Sequence, residues 1–214
     1  MIKKISILTD NLDSWIIPYI KKITGFLKAA GHAVAHLNHY KNICEGDILF
    51  ILSCESIIPS KYLSYNKHNI VIHPSKLPYG KGWSPLAWQI LDNKNDIPVT
   101  LFEASPKVDS GKVYFTDTVN LNGSELNETI KQRQGEVIIK MVKKLVKEID
   151  EMKPYKQQGE EVFFSKRTKK DSELDINKSI KEQFNLLRVV DNERYPAYFV
   201  LNNKKYVLKI YDND

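Results

Sequence analysis

Cysteine is scarce in this chain of 214 residues: Cys44 and Cys54 are the only two, and no CxxC or Cys/His ligand spacing surrounds them. Neither a disulfide framework nor a zinc site is therefore expected, and no metal is assigned. Long hydrophobic runs are missing as well, none approaching the ~20 residues that cross a bilayer. The opening Met1-Ile2-Lys3-Lys4-Ile5 enters an alternating strand pattern rather than the apolar stretch of a signal peptide, so a cytoplasmic location is expected. Internal repeats and low-complexity tracts are also lacking. The net charge is +6, but the lysines are spread along the chain, most densely over 140–181. Clustered Lys/Arg interleaved with exposed aromatics are absent, which favours a solvated surface over a nucleic-acid groove.

What is present is ordinary for a folded protein: 42% hydrophobic and 27% charged residues, in a length suited to one domain with a small appendage. Lys3–Leu8, Ala33–Leu37, Asp47–Leu52 and Asn69–His73 read as strands, the third apolar throughout as if buried on both faces. Asp13–Ala30 carries Trp15, Tyr19, Ile23, Phe26 and Leu27 at helical spacing and stops at Gly31. A helix at Pro85–Leu91, strands at Val99–Glu103 and Lys112–Thr118, and a long amphipathic helix over Ser124–Met152 follow. Short strands alternating with helices predict an α/β fold with a doubly wound, mostly parallel, Rossmann-like sheet over residues 1–154. Residues 155–214 read as a small α+β extension, with a strand at Glu161–Ser165, a helix in Asp175–Val190 starting near Asp175-Ile176-Asn177 and a hairpin turning at Asn202-Asn203-Lys204. The aromatic-rich Tyr195–Tyr211 hairpin could pack on the main domain or on a second copy, and a homodimer is expected.

Ligands of open parallel sheets bind beyond the carboxyl ends of the strands. His73 stands at such an end, followed by Pro74 and a loop with Gly80 and Gly82 among bulky and cationic residues. An isolated histidine there is more often a strand cap. A second motif, Lys107-Val108-Asp109-Ser110-Gly111, puts a carboxylate before a Ser-Gly turn. Alone it is a common turn. Together the two could supply an imidazole and a carboxylate that orients it, as in many acyl-transfer sites.

The run His73-Pro74-Ser75-x-Leu77-Pro78, the Gly/Pro loop after it, Trp88 and Leu91, Val99-Thr100 and Asp109-x-Gly111 resembles the folate-dependent formyltransferases. The tail, with Ser172-Glu173-Leu174-Asp175 and Asp191-Asn192-x-x-Tyr195-Pro196-Ala197-Tyr198-Phe199, is similar to the extension of sugar-nucleotide N-formyltransferases of the pseudaminic-acid type. The resemblance implies the formyltransferase fold. It also implies formyl transfer from 10-formyltetrahydrofolate to an amine of a nucleotide-linked amino-dideoxy sugar, with no metal. By the same resemblance His73 and Asp109 are catalytic. Leu52, Ser53, Cys54, Phe102, Glu103, Val108 and Asp109 would meet the folate, and Tyr79, Lys81 and Trp83 the acceptor. The Cys54 thiol reads as a small buried filler within that loop.

One position departs from the family pattern. The asparagine usual two residues before the histidine is Val71, and Asn69, ~13 Å along the strand from His73, cannot replace it. Loss of one oxyanion donor costs ~3–4 kcal/mol, so either another group, such as a backbone N–H in the loop after His73, is expected to make that contact or the activity is impaired. Aminoacyl or peptidyl acceptors and a lapsed folate- or sugar-binding protein are the alternatives. A methionyl-tRNA enzyme would bring a larger C-terminal barrel than this length holds.

Overall fold

Ile48, Leu49 and Phe50 have no exposed surface, and the strand that carries them forms the middle of an open six-stranded sheet. The computed structural model describes residues 1–213; Asp214, the last residue of the expected extension, lies outside the described residues. The chain begins with β1 (Lys4–Leu8), α1 (Ile17–Ala29), β2 (Ala33–Leu37), β3 (Gly46–Ile51), α2 (Ser60–Leu63) and β4 (Asn66–His73). It continues through β5 (Tyr79–Gly82), α3 (Pro85–Leu91), β6 (Asp96–Glu103), β7 (Val113–Asn120) and α4 (Asn127–Glu148). Beyond α4 lie β8 (Val162–Phe164), α5 (Phe184–Val189), β9 (Ala197–Leu201) and β10 (Lys204–Leu208).

The sheet order is β2-β1-β3-β4-β6-β7. β1 to β4 pair in parallel, while β6 is antiparallel to both β4 and β7. It is thus a mixed, mostly parallel sheet, as its α/β pattern predicts. Successive strand residues point to opposite faces. Ile5, Ile7, Ile48 and Phe50 meet α1 and α4 on one face, while Leu8, Leu49 and Ile51 meet Ile43, Ile58 and Tyr62 on the other.

Three departures from the sequence expectation have local causes. α1 begins at Ile17 rather than Asp13, with Pro18 in its first turn, where a missing N–H costs nothing. That leaves Ser14 and Trp15 in irregular chain beyond β1. α4 begins at Asn127 because Glu125 turns its carboxylate back onto the N–H groups of Asn122 and Gly123. The loop after His73 contains β5, which pairs in parallel with β8 of the tail. Its two glycines hid it, since glycine weakens the strand signal. Gly82 is required there: its φ is +90° and a Cβ would lie 2.7 Å from the Phe164 carbonyl oxygen.

The tail is woven into the main body. Tyr155 bridges Val113, and the buried Arg188 guanidinium meets Glu125 and Asn95. Leu174, Leu187, Val190 and Ala197 form a small cluster of their own beneath the hairpin β9–β10. That hairpin turns on Asn202 and Asn203, both with positive φ (48° and 59°), as a two-residue turn demands.

Candidate functional site

β1 has β2 on one side and β3 on the other, so the chain leaves it in two directions and opens a crevice at the carboxyl ends. A cavity of about 680 Å³ lies there, within the range of small-molecule sites. His73 enters it from the end of β4, where Pro74 can donate nothing to continue the ladder. The residue is 8% exposed. Its Nε2 is 2.7 Å from the Gly80 carbonyl oxygen. A carbonyl only accepts, so Nε2 carries a proton and Nδ1 is the nitrogen free to exchange one. Nδ1 stands 3.8 Å from Oδ2 of Asp109.

Asp109 sits on a tight turn with φ +48°. Its Oδ2 accepts the Gly82 N–H at 2.8 Å, tying β5 to the turn. Gln157 of the tail donates from Nε2 to the carbonyls of Asp109 and Gly111, both at 2.9 Å. Gly111 passes so close to β6 that a Cβ would lie 1.6 Å from the Glu103 carbonyl oxygen. That contact is the physical reason for glycine in the Asp-x-Gly motif.

The loop after β3 forms the facing wall. Asp10 accepts the N–H groups of Glu55 and Ser56. Burial opposes its charge, but these bonds together with the Ser56 hydroxyl hold its carboxyl below the usual aspartate value. Cys54 donates its Sγ–H to the Leu8 carbonyl at 3.2 Å, and burial pushes the thiol up to about 12. It is a filler with almost no thiolate, as its sequence setting suggests.

Leu52, Ser53, Cys54, Phe102, Val108, Trp83, His73 and Asp109 all line this one cavity. Three residues expected to line it do not. Glu103 turns away and accepts the Tyr114 hydroxyl at 2.8 Å and the Asn69 N–H. Tyr79 packs edge-on against Phe164, with the Lys94 ammonium 4.7 Å from its ring. Lys81 is fully buried, its ammonium bonded to Ser110 Oγ at 2.8 Å and to Glu161 at 2.7 Å. A plain loop would leave residues 79–83 equally available; in β5 a register shift between Tyr79 and Lys81 sets their side chains against Phe164 and Phe163 of β8, and neither reaches the cavity.

Val71 lines the cavity and packs with Leu77, Phe102 and Val113, bringing no polar atom. Asn69 spends its amide on the Leu63 carbonyl. After His73, the N–H groups of Ser75, Leu77, Tyr79, Gly82 and Trp83 already have acceptors within the protein. The expected backbone substitute is therefore not among those five.

Sequence patterns did not flag the opposite rim, where Lys131 of α4 and Lys166, Arg167 and Arg194 of the tail reach the same cavity. Chain separation hides them: Arg194, for example, donates to the carbonyl of Asp13, 181 residues away. Among the described residues no cluster of His, Cys, Asp and Glu could hold a metal ion, and no helix is long and apolar enough to cross a membrane.

No family model matches the chain. Among curated proteins it is similar to a methionyl-tRNA formyltransferase of Francisella philomiragia, 29% identical over 139 residues, covering 64% of this chain and 44% of that one. The chain spans about half the length of the curated relatives it matches. Among solved structures, a methionyl-tRNA formyltransferase from Clostridium thermocellum superposes with a TM-score of 0.83 at 20% identity, over 100% of this chain and 94% of that one. A likely sugar N-formyltransferase from Mycobacterium tuberculosis gives 0.78 at 17% identity, over 98% and 97%. The fold is that of the formyltransferases. Length does not separate the two acceptor classes, since a chain of each name is matched almost end to end.

Proposed function

We propose that this chain is an N-formyltransferase, moving a formyl group from 10-formyltetrahydrofolate to the amine of a nucleotide-linked amino-dideoxy sugar. The observation that carries the reading is the exchangeable Nδ1 of His73 beside the Asp109 carboxylate, in a cavity of about 680 Å³. The folate supplies an activated formyl carbon and a nitrogen that can leave. Leu52, Phe102 and Val108 offer apolar walls suited to a flat heteroaromatic ring.

As the new C–N bond forms, the attacking amine loses its proton to Nδ1 of His73. As the ring takes the proton, the Asp109 carboxylate 3.8 Å away offsets the positive charge that develops. The same Nδ1 then returns the proton to the departing nitrogen, while Nε2 stays on Gly80 and keeps the ring in place. With Val71 apolar, the protonated Nδ1 is also a donor available to the developing oxyanion.

The sugar acceptor is supported by the tail pattern around Tyr195-Pro196-Ala197 and by fold likeness to a likely sugar N-formyltransferase. Sequence similarity to methionyl-tRNA formyltransferases favours a second reading, formylation of an aminoacyl amine. A mass-spectrometric assay with 10-formyltetrahydrofolate, offering nucleotide-linked amino sugars and methionyl-tRNA in parallel, separates them. Formylated sugar supports the first reading, formylated methionyl-tRNA the second, and neither product with intact folate binding points to a lapsed enzyme.

A further inference from the structure

Four cationic side chains face the cavity from α4 and the tail, and they are not equivalent. Lys131 is paired with Asp191 at 3.0 Å, and Lys166 with Glu55 at 2.8 Å. Arg167 and Arg194 have no carboxylate within ion-pairing distance among the described residues. Their partners are backbone carbonyls only: Val189 and Asp171 for Arg167, Asp13 for Arg194. The Nε of Arg167 is buried with no acceptor. The third carboxylate of the lining, Asp109, is engaged with Gly82 and faces His73. Two oriented guanidiniums with donors to spare thus border a cavity whose carboxylates are already committed.

We propose that Arg167 and Arg194 bind a phosphate or diphosphate ester of the acceptor, making the tail the element that selects the substrate by its anionic group. Guanidinium is well matched to such a ligand. Its planar fork meets phosphate oxygens with two parallel N–H bonds, and it stays charged even where burial disfavours charge. Two carbonyl bonds hold the Arg167 fork before a ligand arrives, and one tethers that of Arg194. The inference rests on the acceptor class given above, yet its test needs no formyl transfer.

The test is calorimetric titration of the full chain, without folate, with thymidine diphosphate, uridine diphosphate and inorganic pyrophosphate. Arg194 is exposed, so Arg194→Gln should leave the fold intact, which a thermal melt checks; Arg167→Gln and Arg194→Lys complete the set. Binding by the wild type, weakened about 10-fold or more in either glutamine variant and partly restored in Arg194→Lys, is the expected result. In turnover the same glutamine variants should raise KM for the acceptor and leave kcat within a few-fold. Absence of diphosphate binding by the wild type, or equal affinity across the variants, overturns the proposal. The same holds if RNA binds and nucleoside diphosphates do not. If the diphosphates bind through the arginines but no amino sugar is formylated, the anion site stands and the reaction reading falls. If sugars are formylated with unchanged acceptor KM in both variants, the reverse holds.

Discussion

Oδ2 of Asp109 lies 3.8 Å from Nδ1 of His73 and only 2.8 Å from the Gly82 N–H. The carboxylate is therefore anchored by backbone and held where its charge can offset that of an imidazolium while Nδ1 stays available to the substrate.

Asp109→Asn keeps an acceptor for Gly82 but removes the charge that stabilises the imidazolium. Its kcat should fall by about 10²- to 10⁴-fold, the usual range for a disabled acid–base pair, while the melting temperature moves little. A kcat within a few-fold of wild type would remove Asp109 from the mechanism.

Gly111→Ala forces a methyl group into the Glu103 carbonyl, an overlap that no rotamer relieves. Displacement of the turn should cost about 1–3 kcal/mol in urea unfolding and most of the activity with it. Wild-type stability and kcat together would show that the turn can shift without consequence.

Arg188 and Glu125 are 1% and 4% exposed at their side chains and meet at 3.3 Å. Arg188→Ala strips Asn95 and the Glu125 carbonyl of a buried donor, while Arg133 at 3.4 Å still faces the Glu125 carboxylate, so it should cost about 1–3 kcal/mol. Arg188→Met, which fills the space, should cost nearly as much, because Glu125 stays buried. The Arg188→Met, Glu125→Leu double variant should recover part of the loss. Chemical denaturation of the three variants checks this, and a neutral Arg188→Ala would contradict it.

Cys54, with its thiol pushed up to about 12, is mostly protonated through the neutral range and gains thiolate only as the pH approaches that value. At pH 8 about one molecule in 10⁴ carries the Cys54 thiolate. Iodoacetamide at that pH should label exposed Cys44 and spare Cys54, as peptide mass mapping would show. Equal labelling of both would mean that the loop after β3 opens readily.

The sheet was legible because strand and helix periods differ and because runs such as Ile48-Leu49-Phe50 admit few alternatives. That His73 ends a strand and Asp109 sits on a turn was legible from Pro74 and Gly111; that the two belong together came from the family resemblance, since each motif alone reads as ordinary. β5 was not, since Gly80 and Gly82 carry no strand preference and its partner β8 lies some 80 residues onward, as the register Tyr79↔Val162 shows. Missing that strand also misdirected Tyr79 and Lys81. The arginines of the rim were illegible for a similar reason: only tertiary packing of the tail brings them to the cavity, and no short-range pattern encodes it.

The central claim is formyl transfer through His73. It is tested most directly by mass spectrometry of an amino-sugar nucleotide incubated with 10-formyltetrahydrofolate and either wild type or His73→Ala, with folate binding measured alongside. The account predicts one added formyl group with the wild type and none at the same enzyme concentration with the variant, which still binds folate. Equal formylation by both proteins would contradict it.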